Sequence, residues 1–468
     1  MPFSKLVKKS APPKKVVPPP AAQPKVEKLD ASAPPKKGQQ PLSLVRGFRD
    51  ILPSDQPYWK RIAEAHDRVA TAYGYERIDT PIVEEQALFV RSVGKTTDIV
   101  EKEMFAWETQ GSEQVVLRPE CTAPIVRAYV QHGMLNMPQP VKLWYLGPMF
   151  RYDRPQAGRF RQFMQAGFEC LGEGDAIIDA QLIVLSWAIL KDLGLDPVVR
   201  VNSLGSPEAR VNYRNALVAY FRSKRNHLTE EDKHRLLKNP LRLLDSKEEH
   251  MQALKAEAPQ IVDWLDEESK AHFMRVLEYL DEVGVAYQLD PYLVRGLDYY
   301  TKTVFEWYAG SQDQELAQSA LGGGGRYDGL VEQLGGRPTP AAGFAFGLDR
   351  IVSRLKEMDA GQEPPKKNID VFIAQLGEMG RKRALALFEE FRKEGIATGE
   401  ALAKGSLKSQ MEIANRRGAR FAILMGQKEV LDGTALLRDM DSGTQEIIDA
   451  KKAVHEIKKK MGTLAPTA

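Results

Sequence analysis

Phe150-Arg151-Tyr152-Asp153-Arg154-Pro155-Gln156-Ala157-Gly158-Arg159-Phe160-Arg161-Gln162-Phe163-Met164-Gln165-Ala166-Gly167-Phe168-Glu169 reads as the inner ends of two strands, about 141–153 and 160–171, around the loop 154–159. Strand side chains alternate, so Arg161, Phe163, Gln165, Gly167 and Glu169 share one face. That face combines a cation, an aromatic ring, an amide and a carboxylate, where a buried sheet face is normally Val, Ile or Leu. Polar groups aligned in this way need partners, and a polar ligand is one answer. Taken alone, a solvated sheet face is the other.

Outward from this pair, the same architecture continues. Ser54 is placed to cap a helix in which Trp59, Ile62, His66, Val69 and Tyr73 recur at helical spacing until Gly74. His66 falls on that apolar stripe and reads as a packing residue. Glu76–Ile82 is strand-like but carries Pro81, and Met104–Trp107 with Val115–Arg118 forms a second hairpin signal. Asp175–Leu193 is an apolar helix. From Ser206-Pro207 to about 283 the chain is helical and heavily charged, as an insertion would be. Strands are expected again at 285–309 and 318–327, and Ala341–Gly347 runs into a helix starting near Leu348. The expected class is α+β, an antiparallel sheet with flanking helices. After Pro364-Pro365-Lys366-Lys367, alternating strand and helix signals mark a separate small α/β domain. The division is therefore a tail over 1–41, a main body over 42–365 with an insertion at about 206–283, and a last domain over 366–468.

At 468 residues, with 43% hydrophobic and 28% charged residues, the chain has the length and composition of two or three globular domains. No apolar run suits a bilayer and no signal-peptide pattern opens the chain. Cys121 and Cys170 are far apart, which fits a reduced cytoplasm and neither a disulfide framework nor a cysteine zinc site. The net charge of +3 is unevenly spread. Residues 1–40 carry nine lysines against Glu27 and Asp30, and residues 366–468 carry 19 Lys/Arg against 14 Asp/Glu, which leaves the middle acidic. A basic module on an acidic body suits a polyanion bound at selected patches, although solvated surface charge gives the same count. The Pro/Lys-rich tail has too few large apolar residues to offset ordering entropy and is expected to be disordered.

Four further segments carry candidate chemistry. Leu117-Arg118-Pro119-Glu120-Cys121-Thr122 puts a carboxylate at a strand-to-helix junction; Thr122 also suits a helix cap and Glu120 a partner for Arg118. Leu293-Val294-Arg295-Gly296-Leu297-Asp298-Tyr299-Tyr300 sets an Arg and two Tyr around a glycine turn. Leu321–Leu330 reads L-G-G-G-G-R-Y-D-G-L, where the glycines permit close backbone approach, while the absence of Gly-Lys-Ser/Thr excludes a P-loop. Gly343–Arg350 is a small-residue strand delivering an Arg at a helix start.

Together, and in this order, these segments resemble the class II aminoacyl-tRNA synthetases, and in detail the histidyl-tRNA synthetase family. Pro81 matches the proline of the first class motif, which builds the dimer interface. Phe150–Glu169 resembles the second motif and Gly343–Arg350 the third. Leu293–Tyr300 and Leu321–Leu330 look like the two histidine-specific peptides, and Arg46-Gly47-Phe48-Arg49-Asp50 is similar to the family's opening. The resemblance covers residues 44–468, including an inserted helical domain and a carboxy-terminal anticodon-binding domain.

It implies a cytoplasmic homodimeric ligase that activates L-histidine with ATP, with Mg2+ accompanying the nucleotide, and charges tRNA(His). Arg151 and Arg350 would hold the ATP phosphates and Phe163 would stack on adenine. Glu120 and Gln165 would take the α-ammonium, with Thr122 beside them. Glu169 and Tyr300, with Tyr299, would read the imidazole, and Arg295 would face the α-phosphate, so that Arg151 and Arg295 are the expected catalytic residues. Arg154 and Gln156 would approach the tRNA acceptor end. No metal ligand set is implied. One departure stands out: Cys121 replaces the family's usual glycine, and its thiol would narrow the pocket or present a reactive sulfur there, unless it is buried and inert. The competing expectation is the non-catalytic regulatory subunit of ATP phosphoribosyltransferase, which shares the fold but typically lacks the Arg295 peptide and the last domain.

Overall fold

The computed structural model describes residues 42–94, 97–153, 159–244, 246, 248–309, 320–360 and 369–462. The expected tail, Arg154 and Gln156 lie outside these. The chain divides into two compact units, Met1–Val352 and Ser353–Ala468.

The first unit is built on an eight-stranded sheet in the order β1-β5-β6-β11-β10-β9-β7-β8. These strands are β1 (Glu76–Arg77), β5 (Val141–Phe150), β6 (Gln162–Leu171), β7 (Pro197–Ser203), β8 (Tyr287–Leu289), β9 (Thr301–Ala309), β10 (Gly322–Arg326) and β11 (Ala341–Gly347). The six central strands pair antiparallel, and only the edge strands β1 and β8 pair parallel. Glu169 of β6 stands opposite Leu143 on one side and Gly343 on the other.

One sheet face is covered by helix α1 (Gln56–Tyr73) and helix α4 (Ala176–Asp192). Phe168, on the side of β6 opposite Glu169, stacks on Trp144 and Phe344 with ring centroids 6.0 and 5.2 Å away. His66 completes this layer as expected, buried against Phe168 and Phe346. Gly74 ends α1 in the left-handed conformation at φ 72°. The helix begins at Gln56, so the capping position is Asp55 and not Ser54, and the Asp55 side chain makes no cap hydrogen bond.

Two expected strands are shorter than their sequences suggest. Of Glu76–Ile82 only β1 is strand and joins the large sheet, and β2 (Val83–Glu85), just beyond the expected end, joins a small antiparallel sheet with β3 (Phe105–Glu108) and β4 (Gln114–Leu117). Pro81 lies at the crossing, where a missing N–H costs no ladder bond. The expected run 285–309 is broken between β8 and β9, and the break carries Arg295, Tyr299 and Tyr300. The insertion is helical, with α5 (Pro207–Ser223), α6 (Glu230–Lys238), α7 (Glu249–Ala256) and α8 (Glu267–Val283). Its Tyr213, Leu217 and Phe221 belong to the same buried cluster as Tyr145, Tyr299 and Tyr300.

The second unit holds a sheet in the order β13-β12-β14-β15-β16, from β12 (Val371–Gln375), β13 (Thr398–Glu400), β14 (Phe421–Met425), β15 (Thr434–Asp439) and β16 (Gln445–Asp449). Its first three strands are parallel and its last two antiparallel, with helices Gly377–Lys393 and Leu407–Arg416 between strands as the sequence suggests.

Candidate active site

On the sheet face opposite α1 lies a cavity of about 430 Å3. Its wall contains Glu120, Thr122, Arg151, Phe163, Gln165, Arg295, Tyr299, Tyr300 and Arg350, drawn from four segments separated in the chain. Of the described candidates only Glu169 is set below the wall.

Glu120 sits in the turn between β4 and helix α3 (Thr122–Gln131). Its carboxylate accepts the backbone N–H of Thr122 at 2.8 Å and of Ala123 at 2.9 Å. Glu120, not Thr122, therefore satisfies the free amides at the start of α3. Arg118 is not its partner; that guanidinium donates to the Pro148 and Thr80 carbonyls. Burial pushes the Glu120 carboxyl above the usual carboxylate range, against the pull of the two amides. Two amide bonds use only part of a carboxylate's acceptor capacity, which leaves Glu120 able to accept from a cation in the cavity.

Thr122 instead turns its hydroxyl to Glu169 Oε1, donating at 2.7 Å. Tyr327 donates to Glu169 Oε2. Glu169 is completely buried, and among the described residues it makes no ion pair. Burial pushes its pKa up to about 8, with the Tyr327 and Thr122 hydrogen bonds opposing the rise. Gly343 is required beside it, since a Cβ there would lie 1.7 Å from Oε2. Gly167, on the same face of β6, leaves room for the Tyr145 hydroxyl.

Of the five arginines in the cavity wall, Arg151, Arg295 and Arg350 are the ones that the sequence singled out. Arg151 donates from Nε to the Pro119 carbonyl at 2.9 Å, and its guanidinium lies 5.4 Å from the Phe163 ring centre. Arg350 donates to the Ala320 carbonyl. Arg295 pairs with Glu306 and faces the Tyr300 ring at 5.5 Å. Asp298, the other conceivable partner of Arg295, accepts instead from Asn239 at 3.3 Å. Burial lowers the pKa of Arg151 and of Arg350, and neighbouring arginines lower both further. Burial opposes the Arg295 charge too, but Glu306 and Tyr300 outweigh it and hold its pKa above the ordinary value. Arg151 and Arg350, which no carboxylate holds in an ion pair among the described residues, are the charges of this wall that an anion would relieve.

Among the described residues of this wall, two buried atoms have no hydrogen-bond partner: the acceptor Gln165 Oε1 and the donor Arg295 Nε. Unsatisfied groups of this kind are rare and point to a ligand carrying both a donor and an acceptor. Cys121 does not take part. It is 1% exposed, lies 3.5 Å from the Thr80 hydroxyl and is not in the cavity wall, and burial pushes its pKa up to about 12. Of the alternatives left open for this position, the structure bears out the buried, inert thiol.

Tyr327, Glu306 and Asp349 were not legible as site residues. Tyr327 comes two residues after the glycine run and Glu306 is the carboxylate in the apolar second half of β9, so each carried a signal. Asp349 pairs with Arg49 at 2.6 Å and accepts the Met164 amide at 2.8 Å, tying the opening segment to the third motif.

A family model for histidyl-tRNA synthetase matches residues 47–351, and one for an anticodon-binding domain matches residues 370–460. The chain belongs to the histidyl-tRNA synthetase family. It is 46% identical over 417 residues to a histidine–tRNA ligase of Dehalococcoides mccartyi, spanning 89% of this chain and 99% of that one. A histidine–tRNA ligase from a second strain is 45% identical over 418 residues, again across 89% of this chain and 99% of its own. Among solved structures, apo histidyl-tRNA synthetase of S. aureus superposes with a TM-score of 0.74 at 35% identity, covering 89% of this chain and all of that one. A Bacillus halodurans protein described as an ATP phosphoribosyltransferase regulatory subunit/histidyl-tRNA synthetase shares the fold, with a TM-score of 0.59 at 23% identity over 84% of this chain and 99% of that one.

Proposed function

We propose that the chain activates L-histidine with ATP to histidyl-adenylate and transfers the histidyl group to the 3′ end of tRNA(His). The observation that carries this reading is the company the cavity wall keeps: an unpartnered amide oxygen of Gln165 and the guanidinium groups of Arg151, Arg295 and Arg350, with Thr122 of that wall donating to the buried Glu169 carboxyl that Tyr327 also holds.

The α-ammonium of histidine is taken by Glu120 and Gln165 Oε1, with Thr122 alongside. The neutral imidazole has one donor and one acceptor, and Glu169 with Tyr300 and Tyr299 supplies the complement. Phe163 offers its ring to adenine. Arg151 and Arg350 hold phosphate oxygens through paired, charge-assisted bonds. A histidine carboxylate oxygen attacks the α-phosphorus, the bond to the bridging oxygen breaks, and pyrophosphate leaves. Arg151 and Arg295 are the charges facing the α-phosphate as negative charge develops. Mg2+ accompanying ATP would find hard oxygen ligands in Glu103 and Glu306, both in the cavity wall, and would shield the departing pyrophosphate. A terminal ribose hydroxyl of tRNA then attacks the histidyl carbonyl and AMP departs. Arg154 and Gln156 are assigned to the acceptor end, the domain over 366–468 to the anticodon, and residues 42–365 to catalysis. We further infer a cytoplasmic homodimer, its interface built by the Pro81 segment, where Ile82, Val83 and Trp107 are each more than 40% exposed. Among the described residues no helix is long and apolar enough to cross a membrane.

The regulatory-subunit reading is disfavoured, because Glu120 and Arg295 stand in the cavity and the anticodon-domain model matches residues 370–460. ATP–pyrophosphate exchange with each of the common amino acids tests the proposal. Exchange with histidine alone is expected; exchange with another amino acid, or with none, overturns it.

A further inference from the structure

The segment 291–300, between β8 and β9, is neither helix nor strand, yet it carries Arg295. Its backbone carbonyls are held by side chains from elsewhere in the chain. Asn202 of β7 donates to the Leu293 carbonyl at 2.9 Å, and Arg210 of α5 donates to the Asp298 and Tyr300 carbonyls at 3.3 and 2.9 Å. Between these points stands Gly296, the residue next to Arg295. It is exposed, and a Cβ there would meet nothing within 4 Å, so packing leaves this turn unfixed. Arg242 of the insertion holds it, Nη2 donating to the Gly296 carbonyl at 3.1 Å. Arg242 is itself anchored. It lies in the turn Pro240–Leu243, whose Leu241 and Leu243 are buried, and its Nη1 pairs with Asp98. Lys102 pairs with the same carboxylate at 3.0 Å. Asn239, just before the turn, adds a second tie to the segment, donating to Asp298 Oδ1 at 3.3 Å.

We propose that Arg242 is a positioning residue for the adenylation step: by holding the Gly296 carbonyl it sets where the Arg295 guanidinium stands. The inference rests on the reading of Arg295 as a charge facing the α-phosphate. Glu306 holds the far end of Arg295, but its Nε, nearer the backbone, has no hydrogen-bond partner, so the backbone at 295–296 has to place the rest. A charge stabilises a developing anion only when it is already in place, and a displacement of about an ångström costs up to about a hundredfold in rate. The planar fork of Arg242 spans a carboxylate and a carbonyl at once, which an ammonium on one nitrogen does less well. Arg242 also borders the cavity, so the competing role is direct contact with the nucleotide. In the positioning role, the helical insertion is part of the machinery that places Arg295.

Arg242→Lys tests this in a double-mutant cycle with Arg295→Ala. The readout is the first-order rate constant for histidyl-adenylate formation in single turnovers, which does not depend on how much of the variant is folded. Arg242→Lys alone is expected to slow adenylation about tenfold, with the KM values for histidine and ATP in pyrophosphate exchange within about threefold. In the Arg295→Ala background the same change is expected to cost less than about twofold, because the group it positions is gone. The full loss in both backgrounds would mean that Arg242 acts on the nucleotide or the fold by itself, and no loss in either would remove it; both overturn the proposal. If Arg242→Lys does not fold, Asp98→Asn runs the same cycle, since it loosens Arg242 from its other end. A loss that disappears in the Arg295→Ala background is expected, and a loss that persists there, or none at all, overturns the proposal. Arg295→Ala by itself separates the levels. Adenylation at the parent rate in that variant defeats the reading of Arg295 and this inference with it, whereas an impaired Arg295→Ala beside an uncoupled Arg242→Lys defeats the positioning role alone.

Discussion

At the residue scale, Arg295 bears the most weight. A guanidinium fixed at the α-phosphate gains strength as charge develops, so it acts mainly on the chemical step. Arg295→Ala is expected to lower kcat for adenylation by about two to three orders of magnitude, with a much smaller change in the KM for histidine. Arg295→Lys is expected to rescue only in part, because an ammonium lacks the paired fork. The substitution also strands Glu306, so single-turnover adenylation has to be read beside thermal unfolding. A destabilised variant whose folded fraction forms adenylate at the parent rate would reduce Arg295 to a structural partner of Glu306. Cys121 gives the opposite kind of expectation. With its thiol buried and its pKa pushed up to about 12, native alkylation is expected to be negligible at neutral pH, and labelling to appear only in denaturant. Mass spectrometry decides this, and native labelling at the rate of a free thiol would contradict the packing described.

At the element scale, α1 carries a pH-dependent term. His66 Nδ1 lies 2.8 Å from the Ile62 carbonyl and Nε2 has no partner, so the ring is neutral with its proton on Nδ1. Burial lowers its pKa to about 4, with the Ile62 bond opposing. The unfolded chain binds this proton first as pH falls, so the folded state loses stability between roughly pH 6.5 and 4 and loses no more below that. The difference amounts to about 3 kcal/mol. His66→Leu is expected to remove this part of the acid sensitivity while leaving neutral stability within about 1.5 kcal/mol. Parallel unfolding curves for both proteins across that range would contradict it.

Most elements were legible because their signals are local. Helical spacing and Gly74 marked α1, and the period of two over 162–169 put Phe163, Gln165 and Glu169 on one face. Strand ends were less so: Pro81 was seen as an interruption, but not as a switch between two sheets. The candidate residues were legible mainly through resemblance, and their partners hardly at all. Glu169 meets Thr122 and Tyr327, which are 47 and 158 residues away in the chain. Such contacts arise from strand order, which no local pattern encodes. Cys121 was left open between a pocket thiol and a buried one for the same reason, since position beside a site residue says nothing about which way a side chain faces.

At the scale of the whole molecule, the two units imply a division of labour. A chain ending near Lys367 keeps the cavity, so histidine-dependent pyrophosphate exchange is expected to survive better than tRNA charging. Equal loss of both in a dimeric truncation would contradict that division. Sedimentation is expected to find a dimer, and a fully active monomer at assay concentration would remove the Pro81 interface. The central claim is that this cavity joins histidine to AMP and then passes the histidyl group to tRNA(His). It is tested most directly by one single-turnover experiment with α-labelled ATP, in which tRNA(His) is added after the first phase. The expected result is protein-bound adenylate that forms with histidine alone and is consumed on addition of tRNA(His), releasing AMP and histidyl-tRNA together. Failure to form adenylate with histidine, or adenylate that tRNA(His) leaves untouched, would contradict the account.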